Sequence, residues 1–264
     1  MLPDGNQRWS QQKSTYRPPT EVIKTADYEV AVLTTDKAAK AFIQEHHYSG
    51  TYPASRFRFG LFTHGNLVGV AVFSVPMQNK VISNVFPEHN VNDYTELGRF
   101  VLLDEVPGNG ETWFLGQCFR HLKAKGIRGV ISFSDPVPRA DVSGQITFPG
   151  HIGTIYQAFN GKYLGRGSKT YLNLLPDGTN FSPRALAKIQ NGETGWQYAV
   201  NQLISYGAAP PEDTDDLRAW VKKQLPNITR RVKHPGNHKY AWALNKHDRK
   251  FLTETLQYPK KVDQ

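Results

Sequence analysis

Four residues along the chain have side chains suited to moving a proton, and they are His47, Tyr48, Asp135 and Tyr156. The histidine and the first tyrosine end a predicted helix, and the aspartate ends a predicted apolar strand. The second tyrosine falls in the first turns of a later predicted helix. As a relay, His47 would act as general base, Asp135 would orient its imidazole, and a tyrosine hydroxyl would act as general acid.

The same side chains also form a mixed nitrogen and oxygen set of metal ligands. The imidazole of His47, the carboxylate of Asp135 and the phenol of Tyr156 suit iron better than structural zinc. Each residue has a purely structural interpretation as well. His47 can interact with the dipole at a helix end, and Asp135, which precedes Pro136, can form a turn. Tyr156 can belong to the core.

The hydrophobic pattern predicts the elements that position these side chains. The predicted strands are Tyr28–Thr34, Phe57–Thr63, Leu67–Val75, Glu96–Leu103, Val130–Ser134 and Lys169–Leu175, and the predicted helices are Asp36–His47, Thr112–Lys125 and Ile152–Tyr163. A hairpin followed by strands that alternate with helices predicts an α/β fold with a mixed central sheet flanked by helices.

Composition divides the chain into four predicted segments. Residues 1–26 are polar and proline-bearing, which predicts a flexible N-terminal arm, and residues 27–178 hold the α/β domain. Residues 179–228 show helical spacing between glycine and proline turns, which predicts a small helical appendage. Residues 229–264 form a basic C-terminal tail.

The basic tail indicates a polyanionic partner. Its 36 residues contain nine Lys or Arg against three acids, and so carry +6 of the net charge of +9. Aromatic residues are interleaved with these charges, which suits phosphate contacts and base stacking. The alternative is a solvated tail that aids solubility. The candidate nucleic-acid contacts are Arg230, Arg231, Lys233, His238 and Lys239, together with His151 at the head of a predicted helix.

A glycine-rich turn before the predicted helix Thr112–Lys125 is the candidate cofactor site. Backbone amides of Gly108, Asn109 and Gly110 could approach a pyrophosphate at the helix N-terminus. Glu111 places a negative charge beside that position, and an ordinary turn is the alternative. Arg99, inside an apolar strand, either reaches an anion or forms a salt bridge with Glu96.

Four strings carry a family resemblance. His47-Tyr48-Ser49-Gly50, Glu96-Leu97-Gly98-Arg99, Ser134-Asp135-Pro136 and Gly150-His151-Ile152-Gly153-Thr154-Ile155-Tyr156-Gln157-Ala158 occur in this order. Together they resemble the phage Mom family, a divergent branch of the GNAT acyltransferases. The resemblance covers roughly residues 40–175, and its last string is the most specific.

The resemblance implies a GNAT-like fold and an enzyme that converts adenine in double-stranded DNA to an N6-carbamoylmethyl derivative, which shields the DNA from restriction. Carried over by position, it implies functional roles for His47, Tyr48, Asp135 and Tyr156, with Arg99 in the cofactor region. It also implies iron, with His47, Asp135 and Tyr156 as ligands, and an acyl-CoA or related donor.

Two other functions are compatible with the sequence: an ordinary GNAT acetyltransferase acting on a small amine or protein, and a non-catalytic nucleic-acid-binding protein. The single cysteine, Cys118, allows no internal disulfide and is expected in the core. With no signal peptide and no transmembrane segment in the pattern, the expected location is the cytoplasm, without a membrane partner. The oligomeric state is left open, and a dimer is compatible with the sequence.

Overall fold

The computed structural model describes residues 5–18, 20–76, 78–88, 90–212, 216–254 and 256–260. The chain forms two compact units, each assembled from separate segments. Unit 1 is drawn from residues 1–136, 151–167 and 237–262, and unit 2 mainly from residues 137–150 and 168–236. Along the described residues, no helix combines the length and the apolar character that a bilayer crossing requires.

The strands are β1 (Asn6–Ser10), β2 (Lys13–Arg17), β3 (Tyr28–Val32), β4 (Ser55–Thr63), β5 (Asn66–Ser74), β6 (Tyr94–Leu102), β7 (Gly129–Ser134), β8 (Arg139–Ala140), β9 (Ile146–Phe148), β10 (Lys162–Arg166), β11 (Thr170–Leu174), β12 (Arg230–His234) and β13 (His238–Ala243). The α-helices are α1 (Asp36–His46), α2 (Lys80–Ser83), α3 (Gly110–Ala124), α4 (Thr154–Ala158), α5 (Pro183–Asn191), α6 (Gln197–Ser205) and α7 (Leu217–Ile228). Short 3-10 helices span Thr25–Asp27, Val91–Asp93 and His247–Leu252.

Unit 1 is built on a seven-stranded sheet with the order β10-β13-β7-β6-β5-β4-β3. The pair β6–β7 is parallel, because helix α3 carries the chain back across the sheet between them, and the other neighbours are antiparallel. The predicted mixed central sheet with flanking helices is confirmed.

Strand β5 shows why the sequence folds this way. From Val68 to Ser74 every residue is buried, because helices cover both faces of the sheet. Side chains alternate between faces along a strand, so Val70 and Val72 pack with α1, while Ala71 and Phe73 pack with α3. Cys118 lies in this core, as predicted from its position on the apolar face of α3.

The first residues of the chain form an ordered element where the sequence predicts a flexible arm. Strands β1 and β2 pair as an antiparallel hairpin, with Arg8 and Trp9 both buried. The polar composition of this segment does not predict the hairpin, because the contacts that anchor it are made with residues about 100 positions away.

Strand β13 occupies an interior position of the sheet, between β10 and β7, although it lies in the predicted basic tail. Tyr240 and Ala241 are fully buried there. The predicted strand Lys169–Leu175 corresponds to β11, which pairs with β12 in unit 2 rather than with the central sheet. Strand β10, in turn, begins where the sequence predicts the end of a helix.

Unit 2 has its own hydrophobic core, formed by α5, α6 and α7. Phe181, Ile189, Leu203 and Trp220 are among the buried residues of this cluster. The three helices lie within the predicted appendage, residues 179–228. Unit 2 also contains the two-stranded ribbon β11–β12 and the short pair β8–β9.

Candidate active site

The two parallel strands of unit 1 diverge, and the candidate site lies in the gap. Strands β6 and β7 pair only from Tyr94 with Gly129 to Leu97 with Ser132. Beyond these pairs, β6 continues to Leu102 beside β5 and β7 continues to Ser134 beside β13, and the two strands no longer pair with each other. Ligands of open α/β sheets commonly bind where the carboxyl ends of neighbouring strands separate.

A β-bulge at Gly98 lies at the start of this divergence. Val72 pairs with Arg99 and Phe73 pairs with Leu97, so Gly98 is an extra residue on β6. A Cβ atom at Gly98 would lie 2.6 Å from the hydroxyl oxygen of Ser74, so a larger residue there would require that side chain to move. Bulges redirect the side chains around them, and this one redirects those on either side of Gly98.

A pocket at the divergence brings together five of the predicted site residues. Its lining includes His47, Tyr48, Arg99, His151 and Tyr156. These come from the end of α1, from β6, from the turn before α4 and from α4 itself. The β1–β2 hairpin completes the wall with Gln7, Arg8 and Trp9.

Aromatic rings form one side of the pocket. The ring of Tyr48 lies 4.6 Å from that of Trp9, 4.2 Å from that of His47 and 5.8 Å from that of His151, centre to centre. The hydroxyl of Tyr48 is 3.5 Å from Nε2 of His151. Flat rings of this kind can contact both faces of a planar base.

His47 is a neutral hydrogen-bond donor in this structure. Burial lowers the pKa of His47 well below its usual value, and the positive charges of Arg99 and His151 act in the same direction. The Nδ1 atom accepts the backbone N–H of Ser49 at 3.1 Å and also contacts the Ser49 hydroxyl at 2.9 Å. Because an N–H group can only donate, the imidazole proton lies on Nε2.

This geometry corrects the general-base role predicted for His47. The nitrogen that could accept a proton is already engaged, and the other carries one. The residue that orients the imidazole is Ser49 and not the predicted Asp135. His47 can therefore donate a hydrogen bond to a bound ligand.

Tyr156 and Glu96 are two acid–base groups whose pKa values are both raised by burial, an effect that the charge of Arg99 opposes in each. Burial raises the pKa of Tyr156, while a hydrogen bond with Ser132 and the charge of Arg99 lower it. Burial raises the pKa of Glu96 to about 7, against the opposing effect of Arg99. A carboxyl group that titrates near neutral pH suits proton transfer.

Arg99 is held at the edge of the pocket by contacts to neighbouring backbone. Its Nε donates to the carbonyl of Thr51 at 2.9 Å, and its Nη2 donates to the Thr51 hydroxyl at 2.7 Å. Its Nη1 donates to the carbonyl of Gly98 at 2.6 Å. The guanidinium thus supplies a fixed positive charge beside Tyr156 and Glu96.

Tyr156 is positioned by the turn before α4. Gly153 begins this helix with a φ of +74°, a left-handed conformation that favours glycine. A Cβ atom there would lie 2.7 Å from the Tyr156 ring. The backbone N–H of His151 donates to the carbonyl of Asp135 at 2.8 Å, which ties this turn to the end of β7.

The predicted iron site does not fit the residues that the structure describes. No cluster of three or more His, Cys, Asp or Glu side chains within those ranges could hold a metal ion. Asp135 is not among the residues lining the pocket, and the Nδ1 atom of His47 is occupied. Tyr156 adds a phenol to the same pocket as His47, without Asp135 beside them in its lining.

The predicted cofactor turn is covered by the N-terminal segment of the chain. The backbone N–H of Gly108 donates to the Glu21 carboxylate at 2.8 Å, and the side chain of Asn109 accepts the backbone N–H of Ile23 at 2.7 Å. A Cβ atom at Gly108 would lie 2.1 Å from the carbonyl oxygen of Pro18. Gly110 is buried as the first residue of α3.

A buried ion pair anchors the β1–β2 hairpin beside this turn. The Nε atom of Arg8 lies 2.6 Å from the Glu111 carboxylate, and their side chains are 1% and 4% exposed. The remaining guanidinium nitrogens donate to the carbonyls of Leu103, Val106 and Pro107. Arg8 therefore neutralises the negative charge that Glu111 brings to the start of α3.

The predicted nucleic-acid contacts of the C-terminal segment are divided between the two units. Arg230, Arg231 and Lys233 are exposed on β12, in unit 2. His238 and Lys239 belong to β13, in unit 1, where His238 is buried and contacts the Tyr163 hydroxyl at 2.8 Å. Burial lowers the pKa of Lys239.

Comparison with known proteins identifies the family of this chain. The Mom protein family matches residues 27–260. The chain belongs to this family. It is 26% identical over 230 residues to the methylcarbamoylase Mom of Escherichia phage Mu, covering 84% of this chain and 80% of that protein. The resemblance seen in the sequence strings is thereby confirmed.

Solved structures similar to this Mom-family chain are GNAT acetyltransferases. A tandem GNAT protein from the clavulanic acid biosynthesis pathway is 8% identical with a TM-score of 0.41, covering 83% of this chain and 99% of its own. An N-acetyltransferase from Staphylococcus aureus is 10% identical with a TM-score of 0.37, also covering 83% and 99%. Neither similarity bears on the substrate.

Three residues of the Mom-family pocket region escape sequence reasoning as functional candidates. Trp9 and Arg8 lie in a segment whose composition suggests no structure, and no local pattern connects them to the pocket. Glu96 appears in the sequence only as an ion-pair partner of Arg99. A signal was present, since a carboxylate inside the apolar run ELGRFVLL needs a partner or a shifted pKa.

Proposed function

We propose that this chain is a transferase that modifies the exocyclic N6 of adenine in DNA, giving a carbamoylmethyl derivative that protects the DNA from restriction. One observation carries the proposal: the similarity to a methylcarbamoylase extends over 84% of this chain. The match to the Mom family, over residues 27–260, includes the pocket residues from His47 onward. The pocket adds aromatic walls and acid–base groups, which a base-modifying enzyme needs.

The chemistry explains what those groups must do. The N6 lone pair of adenine is delocalised into the ring, so N6 becomes a useful nucleophile only as it loses a proton. N6 then forms a bond to the methylene carbon of the carbamoylmethyl group. The donor's leaving group departs with the electron pair of the broken bond. One N–H hydrogen of adenine is thereby replaced by the transferred group.

The proposed roles rest on the residues that line the pocket and on Glu96, which does not line it but acts electrostatically on Tyr156. Glu96, with its pKa raised to about 7 by burial, is the proposed proton acceptor, and it acts on the substrate through Tyr156. The Nε2–H of His47 donates a hydrogen bond to the base or to the transferred amide. Tyr48 and Trp9 stack against the flipped adenine, which offsets part of the cost of unstacking it from duplex DNA.

The donor is proposed to be a compound related to acyl-CoA that carries its leaving group on the methylene carbon, because a thioester activated at its carbonyl carbon would give an N6-acyl product instead. A pyrophosphate at the start of α3 would compete with the Glu21 carboxylate on the amide of Gly108. It would also meet the carbonyl of Pro18. A donor of this kind therefore binds there only when the N-terminal segment moves aside.

Mass spectrometry of nucleosides tests the proposal. DNA from cells that express the protein should contain deoxyadenosine heavier by one carbamoylmethyl group. Tyr156→Phe, which removes only the hydroxyl, should abolish this product. Tyr198→Phe makes the same change on an exposed ring of α6 and should leave it intact. Unmodified DNA together with acetylated amines or proteins would refute the proposal in favour of an ordinary acetyltransferase.

A further inference from the structure

The ribbon β11–β12 in unit 2 has one packed face and one open face. Leu172 and Leu174 are buried on the first face. The cross-strand pairs Tyr171 with Lys233 and Asn173 with Arg231 point to the other. The Tyr171 ring is 45% exposed there, and Arg231 and Lys233 are exposed.

A groove of about 860 Å³ lies between this open face and helix α7. Helix α7 contributes Arg218 and Lys222, one turn apart, and the ribbon contributes Arg231. Among the described residues that line the groove, none is acidic. The wall also holds amide side chains, from Asn173 and Gln190, that can bond to phosphate oxygens.

The groove cations are not neutralised by the described part of the chain. Within it, Arg218, Lys222 and Arg231 form no ion pair with a carboxylate. Arg218 donates to the carbonyl of Gln190 at 3.3 Å and to the Asn191 side chain at 3.4 Å. Elsewhere, buried or partly buried arginines such as Arg8 and Arg128 face carboxylates.

Arg231 is held in place by an aromatic ring. Its guanidinium carbon lies 3.8 Å from the centre of the Tyr171 ring. This contact orders a long side chain while leaving its N–H donors directed away from the ring. An ordered guanidinium loses less conformational entropy when it binds a phosphate.

We propose that this groove binds the phosphate backbone of double-stranded DNA. The proposal rests on the proposed function, because DNA is the substrate there, and it assigns the contact to a surface outside the pocket. It adds Arg218, Lys222 and Tyr171 to the basic residues of β12. Charge complementarity carries the assignment, since several unpaired cations converge on one concave surface that lacks described acids.

Fluorescence anisotropy of a labelled duplex at several salt concentrations tests the groove. The triple variant Arg218→Gln, Lys222→Gln, Arg231→Gln removes three phosphate contacts. The slope of log affinity against log salt should fall by about 2.7, and affinity at about 0.1 M salt should fall roughly 100-fold. The control Arg120→Gln, Lys123→Gln, Lys125→Gln removes the same charge from exposed positions on and just after α3.

The control should bind nearly as the wild-type protein does. Equal weakening of both triple variants would overturn the proposal, because net charge alone would then set the affinity. Wild-type affinity in the groove variant would overturn it too, as would tighter binding to single-stranded RNA of the same sequence. Circular dichroism establishes that both variants remain folded.

Two variants of Tyr171 separate ring support from charge. Tyr171→Phe keeps the ring under Arg231 and should bind as the wild type does. Tyr171→Ala should lose roughly two- to fivefold in affinity. Equal binding by both would show that the ring does not position Arg231.

Failure of the proposed function remains distinguishable from failure of the groove. Groove-dependent duplex binding without adenine modification in cells would refute the function and leave the groove standing. Adenine modification that persists at wild-type level in the groove variant, with unchanged affinity, would refute the groove alone.

Discussion

Replacing Arg8 should release the N-terminal hairpin from the start of α3. The guanidinium lies 2.6 Å from the carboxylate of Glu111, and both side chains are almost completely buried. It also donates to the backbone carbonyls of Leu103, Val106 and Pro107. Arg8→Met keeps an unbranched apolar stem and removes every one of these bonds.

The expected cost is set by the charge left behind. Removing one partner of a buried ion pair costs about 3–5 kcal/mol, because the other charge stays buried without compensation. The hairpin can escape this cost by detaching, which lets Glu111 reach water. A loss of about 3 kcal/mol raises the detached fraction roughly 100-fold, and the rate of proteolysis within β1–β2 should rise in proportion.

Two comparisons make limited proteolysis decisive. Arg17→Met also removes a cation from the hairpin, but Arg17 pairs with Glu21 at a partly exposed position. The free energy that holds the hairpin should therefore change by no more than about 1 kcal/mol. Arg8→Met combined with Glu111→Leu should restore protection, because no unpaired charge remains. Cleavage of Arg8→Met at the wild-type rate would show that the ion pair does not hold the hairpin.

Two further predictions concern pH. Burial raises the pKa of Glu96 to about 7. The rate of adenine modification should therefore rise between about pH 6 and pH 8, as the carboxyl loses its proton. Glu96→Gln should abolish the activity and with it this pH dependence. Burial favours the protonated form of Asp248, but hydrogen bonds from Arg128, Asn245 and His247 outweigh it and hold the pKa of Asp248 below its usual value. This stabilisation is present above the pKa of the unfolded chain, about 4, and is lost as pH falls further, so Asp248→Asn should flatten the acid side of a plot of melting temperature against pH. Unchanged pH profiles in these variants would contradict the two assignments.

The sequence predicts much of the central sheet because burial on both faces leaves continuous apolar runs. Strand β5 and helix α3 both lie close to their predicted bounds. Strand β13 is missed as part of the sheet, since its pairing with β7 joins residues about 100 positions apart and no local pattern encodes it. The basic residues around β13 favour a solvated tail, although Tyr240 and Trp242 carry the apolar contacts.

The sequence likewise predicts only part of the candidate site. The family strings predict that His47, Tyr48 and Tyr156 belong together, and the structure places all three around one pocket. They do not predict the role of His47, because the Ser49 N–H fixes its tautomer. Nor do they predict Glu96 as a base, because its pKa depends on burial in the divergent sheet.

At the turn before α3, a side chain of the protein itself supplies the anion expected at a helix N-terminus. Amides at a helix N-terminus attract an anion, and the glycines there predict a bound pyrophosphate. In the structure the anion is the carboxylate of Glu21, and Arg8 compensates the second negative charge, from Glu111. Because Arg8 also lines the pocket, movement of the hairpin would change both the donor turn and the substrate wall at once. If the proposed donor binds at this turn, its binding is coupled to the shape of the pocket. The Arg8→Met variant tests this coupling, because it loosens the hairpin without a ligand.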